Sequence, residues 1–141
     1  MSPIKALMLS IAVLVAGCND DNQVQIDPYS ALPGKWGWAE SDDCKSSPEE
    51  ITFSADRKQM FLSHAPAKDD GTREPHRKVT YQILREIPNG LSMSLDGEKR
   101  LDKSGNLVTW DLILLSENEY CWHGNDWRPN SCTKSIHRCE I

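Results

Sequence analysis

The chain has 141 residues, enough for one folded domain. Charged residues make up 26 % of it and the formal net charge at pH 7 is −5, an ordinary soluble composition without the basic field that nucleic-acid binding needs. Five cysteines are many for this length, so the redox compartment matters to any reading of the fold.

Residues 1–17 differ from everything after them. Met1–Lys5 carries one positive charge, and Ala6–Ala16 is an apolar run interrupted only by Ser10. The run is too short for a bilayer span, which takes roughly 20 apolar residues, but it suits a secretory signal. It ends in Val15-Ala16-Gly17-Cys18. This sequence resembles the lipobox of bacterial lipoproteins: an aliphatic residue, two small residues, then the acceptor cysteine. The resemblance implies that residues 1–17 are a removable lipoprotein signal peptide and that Cys18 receives lipid. It also implies a membrane partner, reached through the lipid on Cys18, at the bacterial cell envelope. An Asp directly after the cysteine marks inner-membrane retention in some lipoproteins. Here that place holds Asn19, so the expected location is the outer membrane, with the domain in the periplasm. Each buried methylene contributes about 0.8 kcal/mol, so several acyl chains on one cysteine anchor stably.

Residues 18–33 hold two prolines and three acids and show no periodicity. They are expected to be a lipidated flexible linker, leaving 34–141 as the folded domain.

Within that domain no long stretch has a 3.6-residue apolar period. Short alternating runs dominate, separated by turn residues. In chain order they are Gly34–Glu40, Glu50–Ser54, Gln59–His64, Lys78–Ile87, Leu91–Leu95, Asn106–Ser116, Tyr120–Gly124 and Cys132–Glu140. The charged stretch Ala65–Arg77 is expected to be a loop, and Pro88-Asn89-Gly90 a hairpin turn. Eight strands in sequence close most simply into an all-β, eight-stranded, antiparallel up-and-down barrel, which leaves no sheet edge exposed. A β-sandwich is the alternative.

Gly34-Lys35-Trp36 resembles the G-x-W motif of lipocalins. In that family an arginine near the end of the last strand covers the motif tryptophan, and Arg138 stands at the matching place. The resemblance covers only the first and last strands. It implies a lipocalin-like barrel with a small apolar ligand as its candidate partner. The chain is shorter than a typical lipocalin and shows no C-terminal helix.

Four cysteines follow Cys18: Cys44, Cys121, Cys132 and Cys139. No C-x-x-C pair is present, so disulfides are expected rather than zinc. Cys132 to Cys139 would be about 23 Å along one extended strand, beyond the roughly 7 Å limit for a bridge. A hairpin centred on Pro129-Asn130 sets Cys121 opposite Cys139, and the antiparallel first and last strands bring Cys44 toward Cys132. The expected bridges are therefore Cys44–Cys132 and Cys121–Cys139, with Cys121–Cys132 plus Cys44–Cys139 as the alternative. The same register puts Trp122 opposite Arg138, giving a barrel-closing cluster of Trp36, Trp122 and Arg138.

No nucleophile elbow, phosphate-cradling glycine loop or disulfide-exchange motif occurs. The expectation is a protein without enzymatic activity, cofactor or resident metal. His123, Asp126 and His137 could gather near the last hairpin, but exposed strand and loop histidines are the better account of them. Asp102-Lys103-Ser104-Gly105-Asn106 lacks the ligands of an EF-hand and reads as a turn. Trp127, between Asp126 and Arg128, is the tryptophan expected at the surface and a candidate contact residue. Two functions follow. One is carriage of a small apolar ligand, against which the bulky inward set of Ile51, Phe53, Tyr81, Ile83, Met93, Trp110, Leu112 and Leu114 weighs. The other is a periplasmic or surface module that binds an envelope protein, such as an inhibitor of a lysozyme-type hydrolase.

Overall fold

A computed structural model describes residues 24–140. The expected signal peptide 1–17 and the expected lipid acceptor Cys18 lie outside the described residues, as does Ile141. The strands are β1 (Gly34–Trp38), β2 (Glu49–Phe53), β3 (Gln59–His64), β4 (Arg77–Ile87), β5 (Gly90–Leu95), β6 (Thr109–Ser116), β7 (Glu119–Gly124) and β8 (Ile136–Arg138). Each pairs antiparallel with the next, and β8 pairs with β1, so the sheet is a closed barrel in sequence order rather than a sandwich. Single-turn helices α1 (Pro28–Ala31) and α2 (Asp43–Ser46) flank β1.

Period-two alternation builds the interior. Met60 and Leu62 on β3, Leu91 and Met93 on β5, and Leu112 and Leu114 on β6 point inward and are buried. With Trp36, Ile51, Tyr120 and Ile136 they form one continuous core along the barrel axis. The lumen is thus filled by side chains, as an eight-stranded barrel permits.

The Pro88-Asn89-Gly90 signal becomes a tight turn in which Ile87 pairs with Gly90 and Asn89 takes φ 56°. Gly90 is required by close approach, because a Cβ there would stand 2.0 Å from the Leu112 carbonyl oxygen. Asp102 to Asn106 is a turn, as expected: the Asp102 carboxylate accepts from the amides of Ser104 and Asn106, and Gly105 has φ 81°.

Three expectations need correction. First, the flexible linker does not extend to residue 33. Asp27 caps α1 with its side chain, Pro28 occupies the first turn, and Ala31 and Leu32 are buried under the barrel. Second, the bridges are Cys44–Cys139 and Cys121–Cys132, with Cα separations of 5.3 and 5.8 Å, and not Cys44–Cys132 and Cys121–Cys139. The register explains this. Glu119 pairs with His137 and Tyr120 with Ile136, so the last reversal is centred earlier than Pro129-Asn130. The final strand shrinks to three residues, and Cys132 lies in the preceding loop, where Thr133 bonds Trp122 in both directions. Cys139 donates its amide to Lys35, and α2 folds Cys44 back against Gly37, whose missing Cβ leaves room for the sulfur.

Third, the same shift removes Trp122 from the closing cluster. Tyr120 takes its place, 4.9 Å from Trp36 between ring centroids. Trp36 and Arg138 behave as expected. They pair across β1 and β8, and the guanidinium lies 4.4 Å over the indole. Arg138 also donates to the carbonyls of Ala31, Pro33 and Glu117, while the Trp36 indole donates to Leu32. This end of the barrel is sealed.

Candidate functional site at the barrel mouth

Strand direction sorts the connections into two sets. Segments 54–58, 88–89 and 117–118 are short reversals at the sealed end, beside α1. Segments 39–48, 65–76, 96–108 and 125–135 are long and all lie at the opposite end, the mouth. A rigid barrel presenting its long loops at one end is the usual arrangement for recognition.

The mouth holds a pocket of about 390 Å³ lined by Trp38, Asp43, Glu49, Leu62, His64, Arg73 and Trp122, with Ser47 and the Ala65–Ala67 stretch at its edge. Trp38 ends β1 and Glu49 opens β2. Glu49 shares the inward face of Ile51 and Phe53, so its half-buried carboxyl points into the barrel rather than to solvent. Trp122 comes from β7, stacked on Tyr81 at 5.2 Å. Tyr81 is itself buried, which pushes its hydroxyl up to about 12. Asp43 from α2 and Arg73 from segment 65–76 form a tight ion pair across the mouth. Burial works against the charge on Asp43, but hydrogen bonds from Arg73, Ser41 and the Trp38 amide hold its carboxyl below the ordinary value.

Glu49 differs. Burial pushes its carboxyl up, and the nearby Asp43 charge adds to this, while Trp38, Tyr120 and Arg73 oppose it. The Tyr120 hydroxyl donates to it over a long 3.4 Å. The ion pairs among the described residues do not include Glu49. Its partner Tyr120 is pushed well above the ordinary phenol value by burial and by the Glu49 charge. His64, at the end of β3 beside Glu49's strand, is lowered by burial and then by Arg77 and His76.

Trp127 lies on the rim of the mouth but is half-buried rather than freely exposed. Its ring meets Trp110 edge-on at 5.6 Å and His123 at 6.1 Å. Gly124 makes this possible, since a Cβ there would stand 3.0 Å from the Trp127 indole nitrogen. Trp110 is fixed in turn by a 3.0 Å hydrogen bond to Glu98 and by Arg100 over its ring at 5.0 Å. His123, Asp126 and His137 do not come together. His123 bonds the Ser131 carbonyl, Asp126 lies near Arg100, and His137 faces Glu119.

Sequence reasoning missed Glu49, Asp43 and Arg73 as site residues. A signal for Glu49 was present: extending the Ile51–Phe53 alternation back by two places puts it on the inward face. Arg73 carried none, because its role depends on a loop meeting α2. No protein family, curated protein or solved structure matches the chain.

Proposed function

We propose that this chain is a non-enzymatic, lipid-anchored module of the bacterial cell envelope that binds a partner protein through the barrel mouth. The observation that carries the reading is the contrast between a filled lumen and four long loops at one end, two of which, 39–48 and 65–76, line an open pocket. A filled lumen leaves little room for an apolar cargo. The loops and the half-buried Trp127 offer the mixed aromatic and polar rim that protein interfaces use. The tether suits it too. Ile26 bonds Asn89 at the sealed end, and the eight residues from Cys18 to Ile26 span at most about 28 Å. A lipid on Cys18 would therefore hold the sealed end toward the bilayer and turn the mouth away from it. With a net charge of −5, a basic partner, such as a lysozyme-type hydrolase, would be steered toward the module.

The test uses the chain from Asn19 onward, secreted behind a cleavable signal. An envelope protein retained by this chain, and lost when Trp127→Ala leaves the fold intact, supports the reading. The carrier reading makes a different prediction. A stoichiometric apolar molecule released from the native protein on denaturation would overturn mouth-only binding.

A further inference from the structure

We propose that the mouth pocket is a receptor for a compact organic cation, a guanidinium or alkylammonium head, with Glu49 as its counter-charge and Trp38 and Trp122 as its aromatic walls. The inference rests on the mouth being the binding end and names the chemistry recognised there. In a partner protein the head would be an arginine or lysine side chain. A free amine offers the same chemistry.

A carboxylate withdrawn from water is costly unless a cation or several hydrogen bonds compensate it. Asp43 has its compensation in Arg73. Glu49 sits in the same pocket with only the neutral donors Tyr120, at 3.4 Å, and Trp38 beside it, and with no ion-pair partner within 4.0 Å among the described residues. Arg73 is committed to Asp43, so the pocket's one uncompensated charge is negative. The walls suit the same ligand. Indole faces attract cations, most strongly where water is excluded. The pocket is also large enough to admit such a head together with part of its alkyl stem. An anion would be repelled by Glu49 and Asp43, and a purely apolar group would bury the Glu49 carboxylate without adding a cation.

The groups facing Glu49 set the pH response. They are Asp43 from α2, Arg73 from segment 65–76, His64 from the neighbouring β3, Tyr120 from β7 and Trp38 from β1, with Tyr81 beyond. A cation favours ionised Glu49, so binding releases a proton and strengthens as pH rises through the carboxyl's titration.

The experiment titrates the chain from Asn19 onward with ethylguanidinium, with butylammonium and, as the uncharged control, with ethylurea. The readout is the indole N–H resonances of its tryptophans. Both cations are expected to shift Trp38 and Trp122 saturably, and ethylurea to leave them in place. Glu49→Gln removes a charge without removing volume, and is expected to weaken cation binding about tenfold or more. Equal responses to ethylurea and ethylguanidinium, undiminished binding by Glu49→Gln, or shifts confined to Trp110 and Trp127 would each overturn the proposal. An arginine-containing peptide that binds far more tightly than ethylguanidinium identifies a protein side chain as the source. A free diamine that does so identifies a small molecule. Partner capture separates the two levels: capture that depends on Trp127 but is unaffected by Glu49→Gln overturns the cation receptor and leaves the mouth reading standing. Capture unaffected by either substitution overturns both.

Discussion

At the sealed end the chain reverses in short turns, α1 packs beneath the strands, and Arg138 ties three carbonyls together over the Trp36 ring. At the mouth the connections are long, and charge is handled unevenly: Asp43 is paired, whereas Glu49 is half-buried with no ion pair among the described residues. Both ends use the same ingredients, a tryptophan, an arginine and backbone hydrogen bonds. The difference is completeness. Where every polar group is satisfied the site holds the fold together, and where one carboxylate is left short it is poised for a ligand.

Substitutions can sharpen or break that contrast. The largest effect is expected from the bridge that closes the barrel's ends in sequence. Cys44–Cys139 spans 95 residues and Cys121–Cys132 spans 11. Chain entropy alone then gives about 4.7 and about 2.8 kcal/mol. Replacing Cys44 and Cys139 by serine should lower stability in urea unfolding more than replacing Cys121 and Cys132, and the reverse order would contradict the entropic account. Next is Trp36→Ala at the sealed end, expected to cost about 3–5 kcal/mol in the same measurement. Trp127→Ala should cost clearly less, about 1 kcal/mol, because the ring is half-buried and meets Trp110 and His123 only edge-on.

The smallest effect is on pH dependence. Glu49 has a raised folded-state pKa, so the native chain holds its proton at pH values where the unfolded chain has released it. Stability contributed at this site is therefore present at low pH and is lost as pH rises from the unfolded value of 4.5 through the folded one. Glu49→Gln should match the wild type near pH 4 and become the more stable protein above Glu49's titration. A gap that is constant with pH would mean that Glu49 is not desolvated.

Much of the barrel was legible because alternation is local. Each of the eight alternating runs overlaps a strand, and Trp36 with Arg138 came from the resemblance to the lipocalin G-x-W motif. What failed depended on the length of one loop. A hairpin centred on Pro129-Asn130 misplaces β8 against β7, and this single error moved both the disulfides and Trp122. Leu32 was hidden because a proline-containing, acid-rich stretch resembles a linker until the barrel offers it a floor to pack against. The pocket was least legible, since Asp43, Glu49 and Arg73 meet only once three separate segments converge.

Amide hydrogen exchange on the chain from Asn19 onward tests the contrast between the ends most directly. The account predicts that the Leu32 amide, bonded to Pro28, and the Arg138 amide, bonded to Asn118, exchange only on global unfolding. The Lys68 and Glu74 amides, bonded within the mouth segment 65–76, should exchange at least about a hundredfold faster through local opening. Equal protection at both ends, or faster exchange at Leu32 and Arg138, would contradict it.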